Sequence, residues 1–98
     1  MRVQILDRAE DDLVEGYAFY ERQGEGLGAY FLSSLVSDID SLTLHGGIHR
    51  VVHAGFHRLL SRRFPFAVFY TVQEGRVLVH AILDCRRDPA WIRKRLKE

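Results

Sequence analysis

One apolar stripe at helical spacing constrains the fold of this chain more than any other feature. Its members recur at steps of three or four residues, with serine and aspartate mostly between them, so the segment is predicted to be an amphipathic helix. Residues 8–22 show a similar pattern, and the glycine-containing break at 23–26 separates the two segments. A break this short predicts an antiparallel helical hairpin. The stripe consists of Leu27, Phe31, Leu35, Ile39 and Leu42.

The N-terminus leads directly into this hairpin. Residues 3–6 are mostly apolar and are predicted to form a strand. Asp7 is expected to cap the first helix, because Glu10 follows three residues later in a pattern typical of a capping box. Gly46 and Gly47 are expected to end the second helix.

Beyond these glycines the pattern becomes that of strands. Residues 64–72, FPFAVFYTV, are rich in β-branched and aromatic side chains, with Pro65 expected at the start of the strand. A turn at 73–75 and a second apolar run at 76–84 complete a β-hairpin.

The remaining segments complete the predicted order. Residues 56–63 are expected to be extended, and Asp88 followed by Pro89 predicts a short basic helix over 90–96. The order is then β-α-α-β-β-β-α. It predicts an α+β fold in which a helical hairpin packs on a mainly antiparallel sheet of roughly three to four strands.

Length and composition favour one intracellular domain. The chain has 98 residues, of which 47% are hydrophobic and 28% charged, which suits a single domain over 1–98. No apolar run approaches the length that spans a membrane, and the N-terminus turns acidic before a signal peptide could develop. The single cysteine, Cys85, is compatible with a reducing compartment, so a cytoplasmic location without membrane association is expected.

Charge is divided unequally between the two halves. Residues 1–49 carry three arginines against nine acidic residues, for a net charge of −6, whereas residues 50–98 carry a net charge of +7. A basic half of this kind predicts contact with an anionic partner such as nucleic acid or an acidic protein segment. The alternative is two solvated faces that differ in charge by chance.

Four stretches of the second half occur in an order that is typical of one known superfamily. With them, the chain resembles the RelE/ParE toxins of type II toxin–antitoxin systems, also labelled plasmid stabilization system proteins. The resemblance covers nearly the whole chain. The stretches are GFHR at 55–58, RRFPFAVFY at 62–70, VLV at 77–79 and RRDPAW at 86–91.

The resemblance implies one of two activities. ParE-like toxins inhibit DNA gyrase by binding, whereas RelE-like toxins enter the ribosome and cleave mRNA without a metal or other cofactor. Both are neutralised by a cognate antitoxin. The long helical hairpin and the FPFAVFY strand favour the ParE-like branch, so a binding protein is expected more than an enzyme. A toxin relic that no longer has a target is a third alternative.

Basic residues are the main candidates for target contact. A nuclease would need cations for the phosphate together with an acid and a base, and Asp84 stands where many superfamily members have histidine, which weakens that alternative. If the chain is a nuclease, the candidates are Arg58, Arg63, Tyr70, Arg86 and Arg87. The expected target-binding residues are Arg58, Arg62, Arg63, Arg86, Arg87, Trp91, Arg93 and Arg95.

Other chemically suggestive residues have plainer explanations. His45, His49, His53 and His57 are spaced by four, but glycines interrupt the segment and no further ligand type lies nearby, so no metal site is predicted. Tyr70 lies in an apolar strand and is expected in the core. Trp91 either docks the last helix on the sheet or anchors a partner, and a homodimer through the helical hairpin is a further expectation.

Overall fold

The structure, a computed structural model that describes residues 1–45 and 51–98, has two helices packed on one face of a sheet. This confirms the predicted α+β class. The strands are β1 (Arg2–Ile5), β2 (Val51–His53), β3 (Phe56–Leu60), β4 (Phe66–Gln73) and β5 (Arg76–Asp84), and the helices are α1 (Asp7–Glu21), α2 (Leu27–Asp40), α3 (Leu42–His45) and α4 (Pro89–Lys97).

The apolar stripe, which spans α2 and the first residue of α3, forms the centre of the main core. Its members from Phe31 to Leu42 are buried, whereas Leu27, at the helix start, is 37% exposed. They pack with Ala9 and Leu13 of α1 against the inward side chains of the sheet. The periodicity of this segment therefore predicted both the helix and its buried face.

The two helices approach each other closely at Gly28. A Cβ atom there would lie 2.8 Å from the Tyr17 carbonyl oxygen, closer than real Cβ contacts allow. Glu21 of α1 holds the same junction, since its carboxylate accepts hydrogen bonds from the Gly26 and Gly28 N–H groups at 3.1 and 2.9 Å. A side chain of α1 thus caps the N-terminus of α2.

The sheet has five strands in the order β1-β5-β4-β3-β2, more than the three to four expected. β1 pairs with β5 in parallel, and the other neighbours are antiparallel. β2 is the additional strand and joins β3 through a turn at Ala54 and Gly55, both at positive φ. Glu74 and Gly75 make the corresponding turn between β4 and β5.

Both faces of the sheet carry buried side chains. The face towards α1 and α2 carries Val68 and Tyr70, and the opposite face carries Ala67 and Phe69 in a second cluster with Leu96 of α4. α4 covers only part of this opposite face. Side chains on the adjoining strands and on α4 are therefore left to line a recess beside the helix.

A β-bulge lies near the middle of β5. Phe69 pairs with Ala81 and Tyr70 with Val79, so His80 is the extra residue that faces no single partner. Its Nε2 lies 2.9 Å from Thr71 Oγ1, and its ring meets Phe56 edge-on at 5.0 Å between centroids. Burial lowers the pKa of His80 from its ordinary value.

Three local predictions differ from the structure. The N-cap of α1 is Leu6, which makes no side-chain hydrogen bond, and not Asp7 as predicted. Asp7 lies in the first helical turn, where its negative charge interacts favourably with the helix dipole. β4 begins at Phe66, two residues later than predicted, because Pro65 belongs to the preceding turn. The second helix was expected to reach Gly46, but α2 ends at Asp40 and the one-turn α3 follows it as a separate helix, while residues 46–47 themselves lie outside the described residues.

Candidate functional site

A cationic groove lies between α4 and the sheet face that α4 partly covers. Its cavity of about 200 Å³ combines arginines from three separate segments with an apolar lining from the sheet and the helix. We call it the α4 groove. Its lining residues are Val52, His53, Arg58, Phe69, Cys85, Arg87, Pro89, Ile92, Arg93 and Leu96.

Three arginines give the α4 groove its charge. Arg58 comes from β3, Arg87 from the turn after β5, and Arg93 from the exposed side of α4. None of the ion pairs among residues 1–45 and 51–98 involves any of the three. Their guanidinium groups are therefore available to an anionic ligand.

The turn into α4 places Arg87 against Trp91. The Arg87 guanidinium carbon lies 4.2 Å from the centroid of the indole ring, a close cation–π contact. Asp88 fixes the turn, because its carboxylate accepts the Ala90 N–H at 2.8 Å as the predicted N-cap of α4. Trp91 is 38% exposed, so Ile92 and Leu96, rather than Trp91, dock the helix on the sheet.

His53 and Cys85 add two further polar groups to the groove. The Nε2 atom of His53 is buried and has no hydrogen-bond partner among the described residues. The Cys85 thiol is exposed and donates to the Pro65 carbonyl oxygen at 3.2 Å. The sequence analysis considered His53 only as a metal ligand and not for target contact. The strand that brings it to the groove has three residues, and the sequence pattern did not reveal it.

Arg86 turns away from the groove to pair with Asp84. Its guanidinium donates to both carboxylate oxygens, from Nε to Oδ1 at 3.0 Å and from Nη2 to Oδ2 at 2.6 Å. The side-chain hydrogen bond from Arg86 holds the pKa of Asp84 below its usual value. Asp84 is thus paired locally, and the Arg86 guanidinium is held by a carboxylate two residues away rather than placed in the groove.

Arg62 and Arg63 lie at a different place. They line a cavity of about 70 Å³ beside α2, together with Ser34, Ser37 and Asp38. These two arginines therefore do not join the α4 groove.

Arg95 has a structural role that the sequence did not indicate. Only 12% of its side chain is exposed, and it forms an ion pair with Asp12 of α1 at 2.8 Å. It is therefore left out of the proposed contact surface, although it belonged to the predicted target-binding set.

Tyr70 is buried in the main core, as its apolar strand suggested. Its ring stacks on His57 at 5.0 Å between centroids, and burial raises the pKa of its phenol to about 12. Arg58 and Arg87 lie in the α4 groove, while the other nuclease candidates, Arg63, Tyr70 and Arg86, lie elsewhere. The five candidates do not form one catalytic cluster.

The three described members of the set of histidines spaced four residues apart do not lie on one helix. His45 ends the one-turn α3, His53 lies on β2 and His57 on β3, while His49 lies outside the described residues. Within the described parts of the chain, no group of three or more His, Cys, Asp or Glu side chains could hold a metal ion. The helices described there are also too short or too polar to cross a membrane.

Comparison with known proteins gives a likeness in structure. No protein-family model matches the chain, and no curated protein matches it significantly. A solved structure of the chromosomal ParDE toxin–antitoxin system from P. aeruginosa matches with a TM-score of 0.77, over 84% of this chain and 92% of that chain. The chain shares the fold of that chain of the ParDE system. At 21% sequence identity the likeness establishes the fold, and it confirms the fold that the sequence resemblance implied.

Proposed function

We propose that this chain is the toxin of a type II toxin–antitoxin pair and that it inhibits DNA gyrase by binding, as ParE-like toxins do. The fold supports the toxin assignment. The observation that carries the binding mode is the α4 groove, in which Arg58, Arg87 and Arg93 form no ion pair with any residue in 1–45 or 51–98. Gyrase is a cytoplasmic enzyme, so the proposal carries the expectation of a cytoplasmic location.

The α4 groove suits the phosphate backbone of DNA that is bound to gyrase. Guanidinium groups match phosphate oxygens in bidentate geometry, and an exposed tryptophan beside them can stack on a base or anchor a protein partner. Trp91 is already oriented by Arg87 at 4.2 Å, so little side-chain freedom is lost on contact. Gyrase-bound DNA would present both an anionic backbone and an adjoining protein surface.

A binding mechanism fits this site better than catalysis. Proton transfer needs an acid and a base within hydrogen-bond reach of the reacting atoms. Tyr70 is fully buried with a pKa raised to about 12, and Asp84 is held by Arg86. Neither can serve a substrate in the groove without rearrangement of the core or loss of the ion pair.

The test is a supercoiling assay with purified gyrase and relaxed plasmid. The protein is expected to inhibit supercoiling and to increase cleaved DNA, and a cognate antitoxin should reverse the effect. Arg87→Glu is expected to abolish inhibition. Arg76→Glu is the matched control, because Arg76 is exposed at the opposite end of β5 and the charge change is the same.

One observation keeps an endoribonuclease as the second candidate. His53 lies in the groove with three arginines, and an imidazole beside cations is a combination that metal-free RNA cleavage can use. That function predicts ribosome-dependent cuts in mRNA that disappear in a folded His53→Ala variant. Inhibition of gyrase without such cuts favours the first proposal, and harmless overexpression with neither activity indicates a toxin relic.

The outer surface of the helical hairpin is the proposed antitoxin site. Val14 is 68% exposed, and Leu32 and Val36 of α2 are more than one-third exposed on the neighbouring helix. An amphipathic antitoxin segment would cover these side chains. The alternative occupant is a second copy of the chain, and light scattering with and without the antitoxin distinguishes a homodimer from a heteromeric complex.

A further inference from the structure

A cavity of about 70 Å³ lies beside α2 and shares no lining residue with the α4 groove. It is formed where the turn after β3 passes over α2. We call it the α2 cavity. Its lining residues are Ser34, Ser37, Asp38, Arg62 and Arg63.

The α2 cavity contains hydrogen-bond donors that the fold does not use. Among residues 1–45 and 51–98, no ion pair involves Arg62 or Arg63. Ser34 is 7% exposed, and its hydroxyl oxygen is buried with no hydrogen-bond partner in the same described residues. Leaving a buried hydroxyl without a partner is unfavourable, so a ligand that supplies the partner would gain from it.

The charge at the cavity sets the charge of the ligand. Asp38 is held on one side by the Ser61 hydroxyl, which donates to Oδ2 at 2.8 Å. The two arginines and this one carboxylate leave a net charge of +1 around the cavity. Asp38 also lies in the last turn of α2, where the helix dipole is negative, so a singly charged anion suits the site better than a multiply charged one.

The surroundings favour a protein as the source of this anion. Tyr30 is 47% exposed beside the cavity, packs on Phe64 at 5.4 Å between ring centroids, and lies under the Arg63 guanidinium at 5.8 Å. Exposed tyrosine next to arginine is typical of protein interfaces. A nucleic acid carries a charge at every phosphate, and the Asp38 carboxylate in the cavity lining would repel neighbouring phosphates.

We propose that the α2 cavity is a docking site for one glutamate or aspartate side chain of a partner protein. The carboxylate accepts hydrogen bonds from Arg62, Arg63 and the Ser34 hydroxyl, and an apolar residue next to it in the partner packs on Tyr30. The site goes beyond the proposed gyrase contact, because the residues that form it belong to a different cavity.

In the test, a small-molecule probe is titrated into the whole chain at constant ionic strength, and the backbone amide signals are monitored by NMR. The probe is N-acetyl-glutamate methylamide, and N-acetyl-glutamine methylamide is its neutral match. The charged probe is expected to give saturable shifts centred on the five lining residues, with a dissociation constant on the order of 1–10 mM. Arg62→Gln and Arg63→Gln should each weaken binding roughly tenfold, while Arg76→Gln leaves it unchanged.

Ser34→Ala separates a binding role from a packing role. The hydroxyl has no partner in the described fold, so its removal should leave the thermal midpoint unchanged or slightly higher and still weaken binding of the charged probe several-fold. Equal shifts with the glutamate and glutamine probes, or no saturable shift, would overturn the proposal. Saturation of the cavity by oligothymidylate but not by the glutamate probe would overturn it in favour of nucleic acid.

Discussion

Arg95 donates a hydrogen bond of 2.8 Å to each carboxylate oxygen of Asp12, which is 83 residues away in the chain. The same carboxylate accepts the Ile82 N–H at 2.9 Å, on the part of β5 that extends beyond its pairing with β1. One aspartate therefore joins α1, β5 and α4. It satisfies a backbone donor at an open sheet edge and fixes the helix that borders the α4 groove.

Asp12→Ala is expected to destabilise the protein by about 3–5 kcal/mol, because it leaves Arg95 and the Ile82 N–H without their partner in a nearly buried place. Chemical denaturation of the variant measures this loss. Arg8→Ala is the matched control, because its ion pair with Glu98 at 2.8 Å is about half-exposed. The control should cost about 0–1 kcal/mol. Equal losses in the two variants would contradict the assigned role of Asp12.

Gly28→Ala is expected to cost about 1–3 kcal/mol, since a Cβ atom would lie 2.8 Å from the Tyr17 carbonyl oxygen and the two helices would have to separate. Thermal unfolding of the purified variant tests this. Gly24→Ala should be milder, because its Cβ would meet only the flexible side chain of Leu27 at 3.0 Å. If Gly28→Ala proves as stable as the natural chain, the helices do not pack at this distance.

The Tyr70 phenol is expected to stay protonated well above pH 10, because burial raises its pKa to about 12. The unfolded chain ionises near 10.0, so the free energy of unfolding should fall as the pH rises from about 10 to about 12. Ultraviolet titration of the phenolate, compared with Tyr70→Phe, measures the effect. The same variant should retain full toxicity, and loss of toxicity in a folded Tyr70→Phe protein would favour the nuclease alternative.

His80 is expected to make the protein less stable in mild acid. Burial lowers its pKa in the folded state, so the unfolded chain takes up a proton first as the pH falls through about 6.5, and the free energy of unfolding decreases. The comparison is with His80→Gln, which can keep a hydrogen bond to Thr71 without titrating in this range. A steeper pH dependence in His80→Gln than in the natural chain would contradict this account.

Fluorescence of Trp91 is expected to report on the α4 groove, since the chain has one tryptophan and Arg87 lies 4.2 Å above its ring. Arg87→Ala should shift the emission maximum, and duplex DNA with gyrase should change the emission of the natural protein. Arg63→Ala is the control, because Arg63 lies at the α2 cavity and should leave the emission unchanged.

The predictions from sequence were most reliable where a residue's environment follows from its neighbours in the chain. The stripe from Phe31 to Leu42 indicated both a helix and its buried face, because helical periodicity places these side chains together before any tertiary contact forms. The Asp88-Pro89 pair located α4 for the same reason, since capping depends on adjacent residues.

Only the tertiary structure distinguished the arginines from one another. From the sequence, all of the arginines below were predicted to contact the target, because a guanidinium carries the same charge at every position. They are Arg58, Arg62, Arg86, Arg87 and Arg95. In the fold, Arg58 and Arg87 line the α4 groove, Arg62 lines the α2 cavity, and Arg86 and Arg95 pair with carboxylates. The sequence by itself determined the main helices and strands, apart from β2 and α3, and the unequal charge of the two halves. Arg86 pairs with Asp84 only two residues away, whereas long-range packing decided which of the other arginines remain available, since Arg95 pairs with a carboxylate 83 residues away.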